Sequence, residues 1–427
     1  MPAPLLPKGY AVYLVTVAKY RSAVLLGFAF AQVATVNADA LKRDWSVAGY
    51  GTLGAVYHDE PGIEYRRDIS QGRGAKAGEI DFGVDSRLGL QLNVPLATRW
   101  EIVVQTEAGM TAQSDWKPAF NWVLLKYTPN EVFTLRAGRL IIDPYVSSDS
   151  RGVGYSAAMV RPAVEVFGVL NAQRYDGADA VMVRPLGAGQ MEAKVYAGRS
   201  QGQITYGTQV DLDLDEAFTY GGHLQWADQQ WQFRLSTLSI KFERDVYDTS
   251  LQDALRGLGT AASLRAAESV SYLDRTIRFL SLGVLFTHDE LQAQFMVSHS
   301  STDEPGPELP DVGLLSFSHR MGAFLPYVGI SAGWTPRRFR QSSGLPDAAG
   351  PQVAQINAGL DRAQRMFWDN QHSLTVGVRY DFIAKFSLKA QVDRVHFQDS
   401  SVLIDRSGGL LTDRTFPVFS LALDFVF

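Results

Sequence analysis

Cysteine is absent from this chain of 427 residues, and histidine occurs only seven times. The absence of cysteine excludes disulfides, thiolate chemistry and cysteine-ligated metal sites. No pair of histidines at the H-x-x-x-H spacing suggests zinc, and no cofactor motif stands out, so we predict a protein without a metal or a cofactor. The net charge of -5 argues against a nucleic-acid partner.

Long apolar runs are also missing from most of the chain. Outside the first forty residues no stretch reaches about 18 uninterrupted apolar residues, so membrane-spanning helices are not expected. Near the N-terminus, Lys8, Lys19 and Arg21 precede SAVLLGFAFAQVATV, and the small residues of NADA follow. This order is typical of an export signal. We predict a cleavable secretory signal peptide over residues 1–40, with cleavage after Ala40.

A glycine motif near the start raises the question of a nucleotide site. GYGTLG, residues 49–54, matches the G-x-G-x-x-G spacing of a dinucleotide-binding turn. Such a turn must lead into a helix, whose N-terminus receives the pyrophosphate. The following AVYHDEPGIEYRR has no apolar residues at helical spacing and contains Pro61. We therefore interpret the motif as a glycine-rich strand that permits bending or the close approach of a neighbour.

Alternation with a period of two is the dominant pattern of the chain. In DFGVDSRLGLQLNV, residues 81–94, the even positions are apolar except for Ser86, and the odd positions are polar or glycine. We predict a single strand over this stretch, long enough for a tilted span of a bilayer. The same alternation returns in EAFTYGGHLQW, WQFRLST, SLTVGVRYDF and the C-terminal FPVFSLALDFVF.

The connections between the predicted strands alternate in length. Seven are short, namely PLATR, TPNE, PLGAG, ADQQ, THDE, RMG and IAK. Eight are longer and polar, near 59–78, 110–117, 141–173, 200–213, 243–273, 301–310, 335–371 and 398–414. Short periplasmic turns and long external loops are typical of outer-membrane barrels, which pair every backbone group in lipid by closing. We predict an all-β transmembrane antiparallel barrel of about sixteen strands over residues 41–427, with both termini periplasmic.

One loop carries a family likeness. The stretch RAGRLIIDPYVSSDSRGVGYSAAMVRPAVEVFG, followed by YDGADAV, contains a G-R…S-D…V-G-Y…R-P…E pattern, and here the chain resembles Gram-negative (proteobacterial) outer-membrane porin-like β-barrels. The last strand, ending in Phe427, resembles the C-terminal signature that the barrel-assembly machinery recognises. General porins fold their third external loop inward as a constriction. The resemblance implies an inward-folded loop over 141–173, with these residues lining or bracing the narrowest point: Asp143, Asp149, Arg151, Arg161 and Glu165.

Strand alternation adds charged residues on the wall of the lumen, among them Arg87, Arg136 and Arg234. Sixteen strands leave room for a water-filled channel unless something plugs it. Acidic loop charges opposite basic wall charges would discriminate permeants by charge and size. We predict an outer-membrane porin, not an enzyme, for the passive diffusion of small hydrophilic solutes and ions.

Three alternatives to a diffusion porin remain open. The first is a substrate-specific channel with a binding ladder in the bore, and the others are an outer-membrane enzyme barrel and a purely structural barrel. No Ser/His or Asp/His constellation stands out to favour the enzyme. An outer-membrane location implies contact with lipid and lipopolysaccharide, and the likeness to general porins implies a homotrimer.

Overall fold

The computed structural model describes residues 45–169, 174–206, 210–215, 217–245, 249–304, 306, 309–336, 340–405 and 413–427. Sixteen strands form one closed antiparallel barrel, in which each strand pairs with its sequence neighbours and the first pairs with the last. Numbered β1 to β16, these strands are Ser46–Tyr57, Arg87–Ala97, Trp100–Met110, Trp116–Tyr127, Phe133–Ile141, Arg174–Leu186, Gly189–Gln201, Phe218–Ala227, Trp231–Lys241, Thr276–His288, Leu291–Thr302, Asp311–His319, Phe324–Trp334, Asn370–Ile383, Phe386–Asp399 and Arg414–Val426. The predicted closed all-β barrel is confirmed, while the predicted signal peptide lies outside the described residues.

The connections follow the predicted alternation of lengths. Seven turns of two to five residues join strands at one end, called here the short-turn end. Eight connections join strands at the opposite, long-loop end: 58–86, 111–115, 142–173, 202–217, 242–275, 303–310, 335–369 and 400–413. Both ends of the barrel sequence lie at the short-turn end, since β1 enters there and β16 finishes beside it.

Side chains alternate between the lumen and the outer face along the strands. On β10, Leu280 and Leu282 are 55% and 42% exposed on the outer face, whereas Ser281 between them is 3% exposed in the lumen. Apolar side chains on the outer face and polar ones in the lumen recur on β8, β9 and β14, as the sequence predicted. The barrel is therefore apolar on the outside, the reverse of a water-soluble barrel.

Aromatic rings gather near the short-turn end of the outer face. Trp100 of β3 stacks on Tyr127 of β4 with ring centroids 4.3 Å apart. Across the barrel, Phe324 of β13 stacks on Tyr380 of β14 at 4.6 Å. In each pair the two residues lie directly opposite each other on neighbouring strands, at the end away from the loop that connects those strands. Offset stacking there adds to the stability of strand pairing.

The prediction of one strand over residues 81–94 is wrong in its first half. Strand β2 begins only at Arg87, and residues 81–86 are the end of the preceding loop. The Asp81 carboxylate accepts hydrogen bonds from the backbone N–H groups of Gly83 and Val84, at 2.6 and 2.9 Å. An Asx turn of this kind bends the chain away from a strand. As a result Val84, predicted to face outward, is 2% exposed among buried residues.

The glycines of GYGTLG lie in β1, at its closure with β16. A Cβ atom at Gly49 would lie 2.1 Å from the Phe427 ring, and one at Gly51 would lie 2.3 Å from the Phe425 ring. At Gly54 a Cβ atom would lie 2.5 Å from that of Asp85. The absent side chains thus admit close neighbours, as the sequence predicted, and seat the aromatic end of the last strand.

The long loops fill part of the lumen with an apolar core. Loop residues such as Ile63, Val146 and Val164 are buried against lumen-facing strand residues such as Leu238 and Phe416. The described parts of the loops also contain four α-helices, α1 to α4: Val164–Phe167, Ser250–Gly257, Ala261–Ser269 and Pro351–Arg365. In the described part of the chain, no helix is long and apolar enough to cross a membrane.

Candidate functional site

Residues 142–169, called here the lumen loop, run from β5 across the interior of the barrel. The loop first meets β7 to β9 through Asp143, and then β1 to β3 near Gly152. It continues along β14 to β16 near Arg161. The loop therefore contacts the wall on several sides, so its position is set by a series of separate attachments.

The first attachment is an ion cluster around Asp143. Lys194 of β7 donates to Oδ1 of Asp143 at 2.8 Å, and Arg234 of β9 lies 3.7 Å from Oδ2. Arg234 also donates to the carbonyl oxygen of Tyr145 at 3.2 Å. Burial opposes ionisation of Asp143, but Lys194, His223 and Arg234 outweigh it and lower the pKa of Asp143 to about 2. Two of the residues named from the sequence, Asp143 and Arg234, thus belong to one cluster.

Arg136, on β5, reaches the same cluster through two further residues. Its guanidinium donates to both carboxylate oxygens of Asp179 on β6, at 2.8 and 2.6 Å. Lys194 lies 3.6 Å from the same carboxylate. A chain of alternating charges therefore runs from Arg136 through Asp179, Lys194 and Asp143 to Arg234, across the lumen side of β5 to β9.

The second attachment is centred on Arg161. Its guanidinium donates to both oxygens of Asp85 and to Asp393 of β15 at 3.0 Å, and its side chain is 1% exposed. It also donates to the hydroxyl oxygen of Tyr65 at 3.2 Å. Burial disfavours the charged form, but Asp85 above all outweighs it, so the pKa of Arg161 is raised well above its ordinary value. The residue braces the lumen loop against the first loop and the wall.

The third attachment is made by Glu165, at the start of the short helix α1. Its two carboxylate oxygens accept hydrogen bonds from Ser331 of β13 at 2.6 Å and from Gln371 of β14 at 2.8 Å. The hydroxyl of Ser373 donates to the same group. Hydrogen bonds to a carboxylate are stronger than neutral ones, so this contact fixes the end of the lumen loop on β13 and β14.

Two cations of the wall hold the backbone of the lumen loop. Lys389 of β15 donates to the carbonyl oxygens of Gly154 at 2.7 Å and Met159 at 2.9 Å. Arg379 of β14 donates to those of Tyr155 at 2.6 Å and Ala157 at 3.0 Å.

The predicted site residues did not include Lys389, or its ion-pair partner Asp424 on β16. The sequence did contain a signal for both residues, because each lies on the polar side of a strand in which apolar and polar residues alternate.

The remaining predicted residues are Asp149 and Arg151, at a turn of the lumen loop, and Arg87, on the wall of the barrel. Asp149 is exposed and Arg151 is half-buried, while Arg87 is almost fully buried on the wall. Arg87 Nη1 donates to the carbonyl oxygen of Arg151 at 3.4 Å. All eight predicted residues thus lie on the lumen loop or on the wall around it. Five belong to the clusters around Asp143, Arg161 and Glu165, and the other three lie near the turn at Arg151.

Comparisons with known proteins identify solved structures that share this fold. No protein-family model matches the sequence, and a search of curated proteins finds no match. Among solved structures, the outer-membrane expressed OmpT of Vibrio cholerae is 12% identical, with 91% of this chain and 100% of that chain covered and a TM-score of 0.50. An anion-selective porin from Comamonas acidovorans is 12% identical, with 90% and 100% covered and a TM-score of 0.50.

The outer-membrane channel DcaP of Acinetobacter baumannii is a third similar structure. It is 13% identical, with 90% of this chain and 97% of that chain covered and a TM-score of 0.51. Identities this low establish similarity of fold and leave the solute undetermined. The chain therefore has the sixteen-stranded barrel fold of Gram-negative outer-membrane porins.

Proposed function

We propose that the protein is an outer-membrane channel of the porin type, without enzymatic activity, through which small hydrophilic solutes and ions diffuse passively. The observation that carries this proposal is the closed barrel itself, apolar on its outer face and charged in its lumen. A barrel of sixteen strands has a bore wide enough for solutes, and polar lumens are typical of channels.

The outer face of the barrel supports its placement in the membrane. Exposed leucine, valine and phenylalanine side chains would meet lipid, and the aromatic pairs at the short-turn end would lie at the membrane interface. We assign the short-turn end, with both termini, to the periplasm, and the long-loop end to the lipopolysaccharide side. Export by the predicted signal peptide, assembly through the C-terminal signature ending in Phe427, and a homotrimer belong to the same proposal.

The lumen loop would form the constriction. Its buried members, Arg161 and Glu165, brace the loop, because hydrogen-bonded neighbours occupy their charged groups. The partly exposed Asp149, Arg151 and Arg136 would meet the permeant. Charges of both signs around the bore would discriminate permeants by charge, and the width of the bore would discriminate them by size.

A substrate-specific channel is the second candidate, and the packing of the lumen favours it. Apolar loop residues fill part of the bore at the long-loop end, so the free passage is narrower than the barrel. The alternating charges from Arg136 to Arg234 could then serve as a binding ladder along the wall. Tight packing and a charged ladder would suit one class of solute better than general diffusion.

Single-channel recording in planar bilayers tests both candidates. For a diffusion channel we expect ohmic current steps that grow in proportion to salt concentration. For a specific channel we expect small steps, and flux of one solute that saturates. Protein that is folded, as judged by circular dichroism and by heat-modifiable migration, and yet gives no current and no solute flux would contradict both.

A further inference from the structure

Asp369 is a buried carboxyl group without a hydrogen-bond donor. The residue is 1% exposed, and neither of its carboxyl oxygens has a hydrogen-bond partner among the described residues. A Cβ atom at Gly333 of β13 would lie 2.4 Å from Oδ2, so the group lies directly against the wall of the barrel. An ionised carboxylate without a donor is costly in a protein interior, whereas the protonated acid carries no charge and costs much less.

Asp369 also closes the stem of the connection 335–369, which carries helix α4. Its backbone N–H donates to Oγ1 of Thr335 at 2.9 Å, and its carbonyl oxygen accepts from the backbone N–H of Thr335 at 2.8 Å. These two residues are the first and the last of the connection. The charge of the Asp369 side chain therefore acts at the point where the connection joins the barrel.

Glu165 of the lumen loop lies beside Asp369 on the same wall. It accepts a hydrogen bond from Gln371 of β14 at 2.8 Å. Gln371 is the strand-pairing partner of Gly333, the residue against which Asp369 lies. Donors occupy both oxygens of Glu165, which suits an ionised carboxylate. Glu165 therefore presents a negative charge to Asp369.

Arg365, the cation closest to Asp369 in sequence, is engaged by another carboxylate. It donates through Nη2 to Asp399, at the end of β15, at 2.7 Å. Asp399 in turn acts on Asp369 as a negative charge. Arg340, further back in the connection, pairs with Asp361 at 3.3 Å. The charges that act most strongly on Asp369, those of Asp399 and the lumen-loop carboxylate, are therefore both negative.

These surroundings favour the protonated form of Asp369. Burial above all raises the pKa of Asp369 well above its ordinary value, and Glu165 and Asp399 raise it further. The backbone N–H groups of Ser401 and Asn370 approach the carboxyl without the geometry of a hydrogen bond, and they offset only part of this rise. In a connection lifted off the wall, the carboxyl would meet water and return to its ordinary pKa. The docked connection therefore binds a proton that the released connection gives up.

We propose that Asp369 is a proton switch that docks the connection 335–369 on the lumen loop and the barrel wall. Protonated, the side chain is neutral and fits against Gly333. Ionised, it is repelled by Glu165 and Asp399, and the connection is released. Docking is strongest below about pH 4, the ordinary pKa of aspartate. It weakens by up to about tenfold per pH unit as the pH rises toward the pKa of the docked state.

Hydrogen exchange followed by mass spectrometry tests the switch in the full chain, refolded in detergent, between about pH 5 and pH 8. Asp369→Asn keeps the shape of the protonated acid and cannot ionise. At the stem, in segments 333–336 and 365–368, the ratio of the wild-type exchange rate to that of Asp369→Asn should rise at least about tenfold over this range. Taking the ratio at each pH cancels the pH dependence of the exchange chemistry itself.

Asp347→Asn is the matched control. It removes a carboxylate from an exposed turn of the same connection, where Asp347 accepts from Asn357, and it should keep the wild-type rise. Asp369→Ser also removes the carboxyl without adding bulk over Gly333, and it maintains the test if Asp369→Asn does not fold.

A ratio that stays constant over the pH range would overturn the proposal, because the carboxyl would then carry the same charge in the docked and the released states. A ratio that falls as the pH rises would also overturn it, and sensitivity of that ratio to EDTA would assign the carboxylate to a bound cation. The inference goes beyond the proposed channel function. Since docking is measured without current, neither result bears on the channel, which single-channel recording tests separately.

Discussion

Arg161 and Asp85 form a two-point ion pair inside the barrel. Nε of Arg161 lies 2.9 Å from Oδ1 of Asp85 and Nη2 lies 2.6 Å from Oδ2, with both side chains almost completely buried. Asp85 ends the first long loop just before β2, and Arg161 lies on the lumen loop. The pair therefore ties two loops together, and Asp393 on the other side of the guanidinium adds the wall.

Removal of the Arg161 charge should destabilise the barrel. Arg161→Met replaces the aliphatic stem of the side chain but leaves Asp85 and Asp393 buried without a cation, which costs about 3–5 kcal/mol. Urea unfolding of the refolded barrel in lipid vesicles measures the change in the free energy of unfolding. Arg256→Met, which removes an exposed ion pair on α2, should cost less than about 1 kcal/mol. Equal unfolding midpoints for the two variants would contradict the bracing role.

Glu165 should control the mobility of the lumen loop. Glu165→Ala leaves Ser331, Gln371 and Ser373 without their acceptor, at a cost of about 1–3 kcal/mol. Hydrogen exchange followed by mass spectrometry should show faster exchange over residues 155–169, with unchanged exchange in β5 and β6. Glu165→Gln retains one acceptor oxygen and should show a smaller effect. Identical exchange in all three proteins would show that the loop is held elsewhere.

Acid should weaken the attachment at Asp143. Its pKa is about 2 in the folded protein against 3.8 in the unfolded chain, so the folded state favours the ionised form. The resulting stability, about 2 kcal/mol, is present above pH 4 and is lost as the pH falls from about 4 to 2. Asp143→Asn should be less stable than the wild type at pH 6 and should lose less on acidification. Parallel stability curves between pH 6 and pH 2 would contradict this assignment.

The glycines of β1 should differ in their tolerance of a side chain. Gly51→Ala brings a methyl group against the Phe425 ring, which can turn aside. Gly54→Ala meets Cβ and backbone atoms of Asp85, which Arg161 holds in place. We expect Gly54→Ala to cost about 1–3 kcal/mol and Gly51→Ala less, as judged by urea unfolding. Gly257→Ala on α2, where no atom lies within 4 Å, is the control, and the reverse order of Gly51 and Gly54 would contradict the prediction.

Much of the barrel could be predicted because the alternation of side chains along a strand depends only on residues that are close together in sequence. Alternation in β8, β9 and β14 assigns each side chain to the lumen or to the outer face from its nearest neighbours in sequence. The error at residues 81–86 arose where local turn chemistry at Asp81 overrode an alternating pattern. Alternation alone does not report a side chain that accepts hydrogen bonds from its own backbone.

The candidate site was predictable only in part. The family resemblance picked out Arg161 and Glu165, but their partners Asp393 and Gln371 lie more than two hundred residues further along the chain. The attachment of the lumen loop by Lys389 and Arg379 acts on backbone carbonyl groups, which leave no signature in side-chain patterns.

The sequence by itself determined the closed barrel, its apolar outer face and the alternation of short and long connections, because backbone pairing and strand period depend on residues close together in the chain. Only the tertiary structure decided which charges meet in the lumen. Those contacts depend on the path of the lumen loop, and that path is set by burial and ion pairing between residues remote in sequence.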